Sequence, residues 1–292
     1  MLIQWPGGLS LLFLIRLCVA FLREIRLKTA RELAQRADDF RKIIDAHLPR
    51  PSPMIKISPD HTVIGHEVMW GGIWQEPGLD VRLRSIATIT AQCVNGHDFG
   101  LCHQIRVGLT LGISPQKIKA MFVELKFYAG VPASVFALLK TQEVINERDE
   151  WKAQDHPLDA PWLATLDEKI ERGRELRREH WGEQADRELA GSITHEMVPE
   201  SAQIVDGYLY GEIWVRSPLD TRERMVLVLA VLACRQHLRQ LKRHIGYALD
   251  AGLNRREICE VFAQAGWYRG WPHVEDALVI AKEVFAERLI PA

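Results

Sequence analysis

The chain has 292 residues, of which 47% are hydrophobic, 26% charged and 8% aromatic, enough apolar material for a large core and not the make-up of a disordered polymer. Lys and Arg number 37 against 38 Asp and Glu, so the net charge is −1 and no basic field exists to hold nucleic acid. The five cysteines, odd in number and scattered, make no disulfide framework and point to a reducing, cytoplasmic setting.

Residues 9–22 are almost wholly apolar, interrupted by Arg16 and followed by Arg23, Arg26, Lys28 and Arg31. This run is shorter than a membrane-spanning helix and carries a charge. It lacks the basic start and small-residue cleavage site of a secretory signal. Three readings stay open: a helix packing on the body or a partner subunit, a weak membrane-surface anchor, or a targeting segment. Residues 1–48 are predicted as a separate N-terminal helical segment, and four prolines between Pro49 and Pro59 set it apart from the rest of the chain.

Sliding the chain against itself by 140 residues gives an ungapped match. Gly71-Gly-Ile-Trp74 pairs with Gly211-Glu-Ile-Trp214, and Leu79-Asp-Val-Arg-Leu-Arg84 with Leu219-Asp-Thr-Arg-Glu-Arg224. His97 pairs with His237, Gly112 with Gly252, and Tyr128-Ala-Gly-Val-Pro132 with Tyr268-Arg-Gly-Trp-Pro272. About 21 of the 75 positions from Trp74 to Arg148 are identical to their partners, which marks a duplication. The first copy spans 60–150 and the second 181–292. A charged stretch at 151–180, interrupted by Pro157 and Pro161, reads as a linker with a solvated helix at 167–178.

Each copy predicts helices. In the first, Gly112 stops one helix, Ser114 caps the next, and Pro115 takes its first position. In the second, Leu238, Leu241, Ile245 and Leu249 make one apolar helical face that ends near Gly252. Asn254 with Glu257 three residues on forms a capping box. No alternating strand pattern separates these elements, so the fold class is all-α, a tandem repeat packed as one body.

The second copy reads Tyr210-Gly-Glu-Ile-Trp214, Leu219-Asp-x-Arg-x-Arg224, Arg243-His244 eight residues before Gly252, and Tyr268-x-Gly-x-Pro272. In these motifs it resembles the carboxymuconolactone decarboxylase family, particularly the γ-carboxymuconolactone decarboxylase branch of the alkylhydroperoxidase D-like superfamily. The resemblance implies a helical unit that forms homo-oligomers, and a lyase acting without cofactor or metal on a small carboxylated lactone. Peroxidase-like relatives use a Cys-x-x-Cys pair, which is lacking here, since Cys93 and Cys102 are nine apart and Cys234 and Cys259 twenty-five. A thiol-dependent peroxidase or reductase, or a binding scaffold without chemistry, are the alternative readings.

Decarboxylating such a lactone needs a seat for a carboxylate, donors for an enolate-like oxygen, and a group that returns a proton to carbon. In the second copy His244 is the candidate proton-transfer group, with His237 seven residues before it on the same face of a continuous helix. Glu212 would orient His244 or act as a second acid or base, and Tyr268 would donate to the oxyanion. Arg222 or Arg224 would hold the carboxylate. Trp214, Tyr128, Trp271 and His273 are candidate walls, the last two suggesting a bulky or aromatic substrate. The first copy has Gly72 and Gln104 where the second has Glu212 and His244, and offers His97 and His103 instead. There Cys93 with His97 and Asp98 with Cys102 are each four apart, the spacing of one helical face unless Gly96 breaks the helix.

Overall fold

Capping chemistry sets most of the element boundaries. In the computed structural model, which describes residues 29–44, 54–159, 161 and 164–289, the first copy begins with α1 (Ala30–Ile44) and α2 (Pro59–Ile64). The wider π-helical turn Gly65–Gly72 continues α2. Then come α3 (Val81–Asn95), α4 (Asp98–Thr110), α5 (Pro115–Ala129) and α6 (Val131–Ile145). The second copy repeats the series as α7 (Leu166–Ala190), α8 (Pro199–Val205) with its π-helical continuation Asp206–Ile213, α9 (Thr221–Cys234), α10 (Leu238–Asp250), α11 (Arg255–Arg269) and α12 (Pro272–Glu287). Among the described residues there is no strand, and no helix is long and apolar enough to cross a membrane. The apolar run at 9–22, with its packing, anchoring and targeting readings, lies outside the described residues.

Ser114 caps α5, its Oγ accepting from Lys117 N at 3.3 Å, with Pro115 at the first helical position. Asn254 and Glu257 form the capping box of α11, and Asp220 with Glu223 forms another at α9. Gly96, at φ 72°, ends α3, so Cys93 and His97 do not share a helix, whereas Asp98 and Cys102 lie together on α4.

The repeat reaches further upstream than the 140-residue register. Thr165 and Glu168 cap α7 as Thr29 and Glu32 cap α1, each glutamate reaching back to the threonine's own N–H at 2.8 Å. Ala30 thus corresponds to Leu166, a shift of four residues from the register of the rest. Both helices lie against the π-helical turn of their own copy. The stretch read as a solvated linker therefore contributes a packed helix, in which Lys169 and Arg177 are buried. Gly71 meets the Leu33 carbonyl and Gly211 the Lys169 carbonyl, each so closely that a Cβ would overlap the oxygen.

α3 and α9 form the centre. Leu83 through Cys93 and Arg224 through Cys234 are buried without a break, because both helices are covered on every side. The two pack on each other, and the cover crosses between copies: α11 of the second copy lies across both α3 and α9, and α5 of the first lies on α9. One hydrophobic cluster accordingly runs through both copies, from Leu79 to Phe285. This exchange decides where the functional groups meet.

Candidate functional site

Where α5 crosses α9, four-residue spacing on α5 carries Gln116, Ala120, Glu124 and Tyr128 along one face toward the second copy. Glu124 is fully buried. Its Oε2 accepts from Arg224 Nε at 3.2 Å, and Arg224 also donates to the Trp214 carbonyl at 3.0 Å, its guanidinium 4.7 Å from the Trp214 ring. Burial pushes the Glu124 carboxyl up to about 7 although Arg224 acts to lower it. A carboxyl held there is poised to give or take a proton near neutrality.

His244 enters the same region from α10. Its Nδ1 lies 2.9 Å from the Gln240 carbonyl, which can only accept, so the neutral ring carries its proton on Nδ1 and keeps a lone pair on Nε2. Burial lowers its pKa to about 4, which keeps the ring neutral at pH 7. The Tyr128 ring meets it edge-on, with centroids 6.3 Å apart, and Tyr247 packs at 5.4 Å. Tyr247 stacks on Trp181, which touches Tyr210 and Trp214, completing an aromatic wall. Burial, with Tyr210 and Glu124 nearby, raises the Tyr128 hydroxyl well above its ordinary value, so it stays a donor.

Three buried polar atoms in this cluster have no hydrogen-bond partner among the described residues: Glu124 Oε1, the Tyr128 hydroxyl and Trp214 Nε1. The corresponding cluster on the other side of the molecule is closed. There Trp74 Nε1 donates to the Tyr268 hydroxyl at 2.8 Å, and Gln264, the counterpart of Glu124, donates to Thr88 at 2.9 Å and accepts from Arg84 at 3.3 Å. Of that set Arg84 Nε lacks a partner, as does Gln104 Oε1 at the position that His244 holds in the second copy. Val228 replaces Thr88 in the second copy, which deprives Glu124 of the equivalent hydroxyl. The two related clusters thus differ at the tryptophan and tyrosine: in one they bond each other, and in the other both donors and a Glu124 oxygen are left for something else.

The structure brings together His244, Arg224, Trp214 and Tyr128 of the residues expected from sequence. The others stand elsewhere. Glu212 is buried in ion pairs with Lys169 and Arg216, the latter at 2.9 Å. Tyr268 belongs to the closed cleft, because α11 lies over the first copy. Arg222, at the start of α9, pairs with Glu257 and the Gly252 carbonyl. His237 and His97 are exposed at the N-termini of α10 and α4, and His103 packs beside Trp70, with ring centroids 5.9 Å apart. Trp271 is exposed beside Trp267, and His273 follows it in the first turn of α12. Among the described residues no group of His, Cys, Asp and Glu side chains could hold a metal ion.

Sequence reasoning missed Glu124. A lone acid in the apolar run Met121 to Tyr128, matched to Gln264 by the same register that aligns Arg84 with Arg224, was the available signal. Burial raises the Cys93 thiol to about 12 and the Cys102 thiol to about 11, so neither is a thiolate at neutral pH. Changing both to Ser is expected to leave turnover within about twofold in a steady-state assay; loss of activity would restore a thiol mechanism.

The model of the carboxymuconolactone decarboxylase family matches residues 66–143 and again 199–283, together more than half of the chain. The chain belongs to this family. It is 31% identical over 78 residues to 4-carboxymuconolactone decarboxylase of Acinetobacter baylyi, a match covering 27% of this chain and 58% of that protein. Nitrosuccinic acid decarboxylase of Metarhizium robertsii is 30% identical over 81 residues, covering 28% of this chain and 57% of the relative. A 15.0 kDa uncharacterized protein of Paracoccus denitrificans is 29% identical over 126 residues, covering 40% of this chain and 88% of its own. A solved chain from Burkholderia xenovorans, described as a gamma-carboxymuconolactone decarboxylase subunit, superposes with a TM-score of 0.52 at 18% identity. That match covers 90% of this chain and 99% of the other, which extends the shared fold across both copies.

Proposed function

We propose that this family member is a carboxy-lyase acting on a carboxylated unsaturated lactone or a related oxidised ring product, with its chemistry at the buried cluster where α5, α9 and α10 meet. The observation that carries this reading is the set of three unpartnered buried polar atoms around Glu124, in a cleft whose counterpart is closed. The decarboxylase relatives support the reaction class.

The reaction breaks the bond between the ring carbon and its carboxylate. The electron pair flows into the conjugated carbonyl, whose oxygen becomes an enolate, and carbon dioxide leaves. The substrate's own carbonyl is the electron sink, so the protein has to supply only donors and a proton. The Tyr128 hydroxyl and Trp214 Nε1–H are the two donors for the enolate oxygen. Glu124, with a pKa of about 7, holds the proton that goes to carbon. Arg224 balances Glu124 once that proton has gone, and neutral His244 offers a lone pair to the substrate or to Tyr128. The aromatic wall excludes water and so favours the neutral product over a bound anion.

Incubation with 4-carboxymuconolactone in deuterium oxide is expected to release carbon dioxide and place one deuterium on the product carbon. Release without enzyme-dependent labelling, or no release from a panel of carboxylated lactones, would overturn the proposal. His244→Gln, which copies Gln104 of the closed cleft, is expected to lower kcat at least tenfold with the thermal midpoint nearly unchanged. Full activity in that variant would remove His244 from the mechanism.

A further inference from the structure

Beside the aromatic cluster, at the N-terminal half of α5, lies a cavity of about 420 Å³. Its walls include Ala120 and Val123 of α5, Ile213, Arg216 and Pro218 of the second copy, and Leu158 of the connecting segment. The volume suits a small ring compound, and the walls are largely apolar, with one cation, Arg216, and one acid, Asp159. Arg216 is held by Glu212 at 2.9 Å and donates to the Asp159 carbonyl at 2.8 Å, while Glu212 also pairs with Lys169.

The duplication shows what this space is for. In the 140-residue register Ala120 corresponds to Glu260, Gln116 to Arg256 and Pro218 to Gly78. In the first copy's cleft the side chains of Glu260 and Arg256 fill the space: a Cβ added to Gly78 would meet both within 2.8 Å. The Glu260 carboxylate there lies 2.8 Å from Arg84. Arg224 stands to Ala120 as Arg84 stands to Glu260. The second cleft thus keeps the arginine and lacks the built-in carboxylate, and it gains a second cation in Arg216, where the first copy has Glu76.

We propose that the cavity at Ala120 is a carboxylate-binding subsite. The ligand's carboxylate takes the place that Glu260 fills in the other cleft, facing Arg216 with Arg224 behind it, and its ring lies against Val123 and Ile213, whose chain neighbours Glu124 and Trp214 carry the proposed chemistry. The identity of that ligand as the substrate rests on the decarboxylase reading. The incoming carboxylate replaces the neutral Asp159 carbonyl on Arg216, an exchange that strengthens the bond by adding charge. Ala120 and Arg216 are then the residues that select for acids over their neutral analogues.

Calorimetric titration with 2-furoate, a carboxylated five-membered ring, and with neutral 2-furamide tests this. The wild type is expected to bind furoate saturably with one site per chain and at least tenfold more tightly than furamide. Ala120→Glu, which recreates the plug of the other cleft, is expected to weaken furoate binding at least tenfold. If that variant loses its thermal transition, Arg216→Gln gives the same reading, with furoate weakened tenfold and furamide unchanged. Absence of furoate binding to the wild type, equal binding of the amide, or undiminished binding in a folded variant overturns the subsite. Furoate binding with no lactone decarboxylated would sink the lyase and leave the subsite standing; undiminished decarboxylation by Ala120→Glu would do the reverse.

Discussion

Replacing Glu124 by Gln is expected to lower kcat by about a hundredfold to a thousandfold while the chain stays folded. Gln is what the closed cleft carries at this position, in the same setting against an arginine, so the shape is already tolerated by the fold. The amide cannot deliver a proton. In the wild type the acid form of Glu124 is the competent one, so kcat/KM is expected to fall as pH rises through about 7. The variant's residual activity is expected to lack that limb. A variant with wild-type kcat, or with the same limb, would take the proton away from Glu124.

The same group marks stability. Because folding raises the Glu124 pKa from the ordinary value of 4.5 to about 7, the folded chain prefers it protonated. Stability is therefore lost as pH rises from about 4.5 to about 7, a cost on the order of 3 kcal/mol above that range. His244 works in the opposite sense. Its pKa is lowered from 6.5 to about 4, so its contribution is present above 6.5 and lost as pH falls toward 4. The two nearly offset each other near pH 5.5 in the wild type. In Glu124→Gln the histidine term loses its counterweight, and denaturant melts at pH 5, 6.5 and 8 are expected to show the variant gaining stability relative to the wild type as pH rises.

The largest loss of stability is expected from Gly211→Ala, at least about 3 kcal/mol and several degrees in thermal midpoint. The new Cβ would overlap the Lys169 carbonyl, which is backbone and cannot rotate away. From the other side Gly173 of α7 faces the Gly211 amide, where a Cβ would lie 3.0 Å away, so the two elements are already as close as glycine permits. Separating them would also open the Lys169 and Glu212 pair, leaving a buried charge with less compensation. Gly71→Ala repeats the experiment in the first copy against Leu33. A thermal midpoint within a degree of wild type for Gly211→Ala would show that α7 packs elsewhere.

Much of the fold is legible in the sequence because its signals are local. The caps at Ser114 and Asn254 and the stops at Gly96 and Gly112 depend on a few neighbouring residues, and the duplication is visible as identities. What the linear pattern hides is the exchange of α5 and α11 between copies. Sequence spacing groups His244 with Glu212 and Tyr268 of its own copy, yet the crossing brings it Tyr128, and brings Arg224 its Glu124. Glu212 escapes the linear pattern for a related reason. Its partner Lys169 sits in a stretch whose charges read as solvated, and the four-residue shift of α7 keeps that stretch out of the 140-residue alignment.

If one of the two related clusters carries the chemistry and the other is structural, carbon dioxide release from 4-carboxymuconolactone should separate the wild type, Glu124→Gln and Gln264→Ala. Release at the wild-type rate in Gln264→Ala, provided it stays folded, and loss of at least a hundredfold in Glu124→Gln is the predicted result. Equal losses in both variants, or none in Glu124→Gln, would contradict it.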